Sequence, residues 1–95
     1  MEKDLYLPQI EFFKGARVLH YFEFVEPQEY KDPEFFTVKE VHALVICDYE
    51  GEETMLFYLD DGLEVNVEFE FMIPSQAKEQ AKADFSGIDI QWKNK

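Results

Sequence analysis

The sequence predicts an α+β fold: a twisted, mostly antiparallel β-meander of about five or six strands, with scope to curl into a half-barrel, and one helix near the C-terminus. Three observations predict it. Over residues 63–71, Leu63, Val65, Val67, Phe69 and Phe71 alternate with Glu64, Asn66, Glu68 and Glu70, the period of two expected of a strand with one wet face. Asp60, Asp61 and Gly62 separate this run from a second alternating run at 54–59, a strong hairpin signal. After Pro74 the spacing changes, and Ala77, Ala81 and Phe85 recur at intervals of four, as on a helix.

In chain order, residues 5–13 mix β-type residues with Pro8, which removes a ladder donor, so this stretch reads as an edge or broken strand. Lys14 and Gly15 read as a turn. Residues 17–25 form a strand with Val18, His20, Phe22 and Phe24 on one face and Leu19, Tyr21, Glu23 and Val25 on the other; apolar residues on both faces place it centrally. Pro27 and Pro33 bracket a polar loop over 26–34. Residues 35–40 fit either period, whereas the β-branched run over 41–49 reads as a strand ending at the Glu50-Gly51-Glu52 turn.

The hairpin at 60–62 sets the register, because a slip of one residue exchanges the two faces. A three-residue loop with Gly62 in the left-handed position pairs Leu59 with Leu63, Phe57 with Val65 and Met55 with Val67. That register gathers the apolar residues on one side and places Tyr58 among Glu64, Asn66 and Glu68. Ser75 then suits the helix N-cap and Gly87 the left-handed residue after its end. Residues 88–92 alternate again and read as a last strand.

Ninety-five residues predict one domain, with no repeat or low-complexity tract. A lone cysteine, Cys47, forbids an internal disulfide and fits a reducing compartment, and the charged start lacks a signal-peptide pattern, so a cytoplasmic setting is expected. No apolar run is long enough to span a bilayer. Net charge is −12 and unevenly spread: residues 48–73 hold nine acidic side chains and no Lys or Arg. Nucleic acid and anionic membranes are therefore disfavoured as partners, since phosphate contacts need basic side chains.

No catalytic constellation emerges. His20 and His42 are far apart in sequence, Cys47 sits within an apolar run, the four glycines are dispersed, and no metal-ligand spacing occurs. Neither a cofactor nor a metal is predicted. The expected function is a small acidic, non-enzymatic interaction or inhibitor domain. It docks a basic protein through the 48–73 hairpin face, with Tyr58 as aromatic anchor beside Glu64, Asn66, Glu68 and Glu70. Charge kept only for solubility explains the same residues. Two other readings stay open. One is a small-molecule half-barrel, carrier or enzyme, with an aromatic pocket and polar handles at His20, Tyr21 or Tyr58. The other is a homodimer formed through the paired phenylalanines or the last strand.

Overall fold

The structure, a computed structural model, describes residues 7–95. It is the α+β meander expected from the sequence, curled as a half-barrel. A 3-10 turn at Leu7–Gln9 leads into β1 (Phe12–Phe13), β2 (Ala16–Asp32), β3 (Thr37–Tyr49), β4 (Glu53–Leu59) and β5 (Val65–Phe71), followed by α1 (Pro74–Asp84) and β6 (Lys93–Asn94). The strands run β1-β2-β3-β4-β5, all antiparallel, and β6 pairs with β2 beyond β1.

Tight turns connect the early strands. Lys14 and Gly15 both have positive φ, as do Glu50 and Gly51, the mirror-image turn whose twist matches paired strands. The Asp48 carboxylate accepts from the Gly51 amide at 2.9 Å and braces the second turn.

β3 and β4 are the centre. Residues 43–47 and 56–59 are buried without interruption because both sides of the sheet are covered. On one side Phe57, Leu59, Val45 and Cys47 pack under Leu7 and Phe13. On the other, Leu44, Ile46, Leu56 and Tyr58 pack under Ala77, Ala81 and Phe85 of the helical layer. The Ala77–Ala81–Phe85 stripe is buried as the sequence predicts, and the small alanines let α1 lie close to the sheet.

Several expectations are corrected. Residues 26–32 belong to β2 rather than to a loop; the turn itself is only 33–36. Pro27 is tolerated because it falls where the β2–β3 pairing is interrupted, between Glu23 and Gln28, so no ladder donor is missing. Beyond that interruption Gln28–Asp32 pairs with Thr37–Val41, forming a two-stranded arm that outruns β4. The stretch read as an edge strand over 5–13 is a 3-10 turn followed by a two-residue strand; Leu5 and Tyr6 lie outside the described residues.

At the helix start the N-cap is Ile73, not Ser75, with Pro74 opening the helix, where its fixed φ suits the first turn. No side chain caps the first helical amides; Gln76 instead reaches back and accepts from the Met72 amide, just ahead of the N-cap, at 3.0 Å. Gly87 takes no positive φ. Residues 88–92 are not a strand. Ile88, Ile90 and Trp92 alternate because one side of an extended tail packs on the core, and only Lys93–Asn94 reaches the β2 edge.

Two bulges reset the sides of the sheet. Val18 pairs with Cys47 but His20 pairs with Ile46, leaving Leu19 as an extra residue. Val18 therefore joins the side of Leu7, while Phe22 and Phe24 join the helical side. The second bulge lies at the proposed site.

Candidate functional site

The β4–β5 connection is a three-residue loop, displaced by one residue from the predicted position. Asp60 closes on Glu64: the Asp60 amide donates to the Glu64 carbonyl and the Leu63 amide to the Asp60 carbonyl, each at 3.0 Å. Leu63, not Gly62, takes the left-handed conformation, at φ 61°. The Asp60 carboxylate accepts from the amides of Gly62 and Glu64 and fixes the turn.

Leu59 then pairs with Val65, but Tyr58 pairs with Val67, so Asn66 is an extra residue and β5 changes sides there. Leu63 and Val65 face the side of Leu7; Val67, Phe69 and Phe71 face the helix. Glu68 stands opposite Phe57 and Glu70 opposite Met55. The predicted grouping of Tyr58 with Glu64, Asn66 and Glu68 is thereby overturned. Tyr58 lies fully buried on the helical side and is no surface anchor. Its hydroxyl donates to the Asp84 carboxylate at 2.5 Å, and Gln80 also donates to that carboxylate. Burial, followed by the bond to Asp84, raises the Tyr58 pKa.

The remaining predicted residues are spread over three settings. Glu64 sits in the exposed turn. Asn66 is half-buried, donating to the Glu40 carbonyl at 3.0 Å while its own carbonyl accepts from the Lys39 ammonium at 3.3 Å. These two bonds tie the bulge to the arm. Glu68 pairs with Lys14 at 2.9 Å, both side chains about half exposed. Glu70 shares a hydrogen bond with Glu53, and that contact, followed by the Glu70 charge, raises the Glu53 pKa. Among the described residues, Lys14 is the one Lys or Arg within ion-pair distance of any acidic side chain in 48–73.

The sequence offers the paired phenylalanines to a second copy but does not reveal the two-stranded arm that carries Phe35 and Phe36 at its tip. The Asp32 carboxylate accepts from the amides of Glu34 and Phe35, and the Phe36 amide donates to the Asp32 carbonyl. This frame holds Phe35 66% and Phe36 87% exposed. Phe36 has φ 55°, an uncommon conformation for a bulky side chain. The clue in sequence is the Phe35-Phe36 pair itself, flanked by polar residues and proline with no apolar neighbour to bury it.

Between the tip and β5 lies a slot of about 370 Å³, walled by Tyr30, Asp32, Glu34 and Phe35 on the arm and by Asn66, Val67, Glu68 and Phe69 on β5, with Lys39 between them. Successive side chains on a strand point to opposite sides. A cleft bordered by four consecutive β5 residues therefore runs along the strand's edge, not over one side of the sheet. β5 is the last strand of its path and pairs only with β4 among the described residues.

The other candidate groups have structural partners. His20 Nδ1 lies 2.7 Å from Asn94 Oδ1, joining β2 to β6, and burial lowers its pKa. His42 meets Glu40 at 3.3 Å. Cys47 is fully buried, which pushes its thiol up to about 12 and leaves it protonated and unreactive at neutral pH. Among the described residues no three His, Cys, Asp or Glu side chains converge as a metal site, and no helix is long and apolar enough to cross a membrane. The space between helix and sheet is filled by Ala77, Ala81, Phe85 and the Tyr58 ring. No family model matches the chain, and no match is found among curated proteins or solved structures.

Proposed function

We propose that this chain is a non-enzymatic interaction domain that docks a basic protein through its acidic 48–73 hairpin. The observation that carries this reading is the lack of internal neutralisation. Of nine acidic side chains over 48–73, one has a described basic partner, and Glu70 raises the pKa of neighbouring Glu53, through a hydrogen bond first and its charge second. Exposed like charges within a Debye length of about 8 Å repel one another, and a cationic surface relieves that repulsion on docking. The packed helix–sheet interface, with Tyr58 committed to Asp84, supports this reading over a ligand cavity with Tyr58 as its handle.

The test is association with basic proteins captured from a native lysate, compared at low and high salt. The expected result is capture at low salt, release as salt rises, and a slower on-rate for a Glu50→Lys, Glu52→Lys, Glu70→Lys variant. Capture that is indifferent both to salt and to these three reversals excludes this mode of docking.

A further inference from the structure

To its negative charge the slot beside β5 adds two features that the acidic surface alone does not explain: a strand edge unpaired among the described residues, and exposed aromatic carbon at Phe35. We infer that it takes an extended segment of the basic partner, added to β5 as one further strand, with basic side chains toward Glu34 and Glu68 and an apolar side chain against Phe35. This deepens the docking reading above and rests on it.

Shape supports a strand as the occupant. The four β5 residues along the slot span about 13 Å at 3.3 Å per residue, room for a short extended stretch. Their outward backbone amides and carbonyls offer the hydrogen bonds that hold an added strand, and the flanking side chains supply selectivity. The opposite wall is already ordered by the Asp32 frame and by the two bonds linking Asn66 to the arm, so less conformational freedom is lost on binding.

Charge selects which chain enters. Asp32, Glu34 and Glu68 face the slot, against Lys39, whose ammonium is already engaged by the Asn66 carbonyl. Lys14 offsets part of the Glu68 charge from the side of Leu7. A second copy of this chain brings another −12, and nucleic acid brings the same sign. A cationic, apolar-alternating segment matches both the rim and the floor.

The test uses the full chain, labelled with ¹⁵N, and a blocked seven-residue peptide alternating lysine and valine. Three controls are the same residues in block order, the alternating peptide N-methylated along one edge, and a Glu34→Lys, Phe35→Ser variant, whose changed residues are exposed and lie in a turn. Supporting results are amide shifts centred on residues 30–35 and 66–69, and at least tenfold weaker binding in each control. Shifts centred on the Glu50–Glu53 turn, with block and alternating peptides equal, overturn the slot and leave the docking reading standing. Absence of binding to any of these cationic peptides at low salt overturns both. Sedimentation showing a dimer of the protein alone that Phe35→Ser dissolves assigns the slot to a second copy and overturns the inference.

Discussion

Tyr58 and Phe36 are both large aromatic residues on one curled sheet, yet Tyr58 is fully buried and Phe36 is 87% exposed. Tyr58 sits among Tyr30, Phe69 and Phe85, with ring centroids 5.1–5.3 Å away in edge-on arrangements. Such pairs stabilise beyond the area they bury. Phe36 is turned outward at the arm tip, in a backbone conformation that disfavours its side chain. The difference teaches that the aromatic residues serve two ends. Those in β4 and β5, with Tyr30 and Phe85, hold the layers together; those at 35–36 gain little from folding and are free to meet another surface.

Phe57→Ala against Phe35→Ala is the strongest way to break that comparison. Phe57 is fully buried between β3 and β5, so its truncation is expected to cost about 3–5 kcal/mol, a large part of a small domain's stability. Phe35→Ala is expected to change stability by about 0.5 kcal/mol or less, as exposed substitutions do. Denaturant unfolding of both variants decides it, and equal losses would erase the distinction. Tyr58→Phe comes next. It keeps the ring contacts and removes the donor to a part-buried carboxylate, with an expected loss of about 1.5–3 kcal/mol by the same measurement. A neutral result would mean that Asp84 is satisfied by Gln80 and solvent alone.

Much of the sheet was legible in the sequence, and what was not has a physical cause. Residues 41–49 and 54–59 revealed themselves through β-branched and aromatic density, and Ala77, Ala81 and Phe85 through spacing. The side on which Glu68 and Glu70 stand was not legible. Unbroken alternation over 63–71 gives no sign that Asn66 is an extra residue, because a bulge leaves the apolar–polar pattern intact while turning the strand over. Leu19 hides the same reversal in β2. The arm was misread as a loop for a different reason. Its polar and proline content is that of a solvated connection, and its partners just across the turn, 37–41, overlap the stretch 35–40 that fits either period.

Deleting Asn66 sharpens this point, with a smaller expected effect. Because Asn66 is unpaired, its removal leaves Leu59 against Val65 and Tyr58 against Val67, now in continuous register. Two hydrogen bonds to the arm are lost, about 1 kcal/mol each, and the protein is expected to remain folded with a slackened arm. Had β5 alternated without a bulge, the same deletion would have thrown Phe69 and Phe71 into solvent and unfolded the chain. Circular dichroism with amide hydrogen exchange over 28–41 separates the two outcomes.

Phe36→Gly is expected to have a small effect on stability, and its sign is opposite. At φ 55° a glycine avoids the Cβ clash that phenylalanine endures, worth about 1–2 kcal/mol, but it also raises the entropy of the unfolded chain by up to about 1 kcal/mol. A small net gain, up to about 1 kcal/mol, follows because Phe36 has little burial to lose. A loss of stability would mean that the exposed ring contributes to the fold after all, and the contrast with Tyr58 would narrow. A gain would place Phe36 among residues held against local preference. Ordering of the tip by Asp32 then has a physical consequence: it holds an apolar ring exposed instead of leaving the turn to relax around a residue that does not suit it.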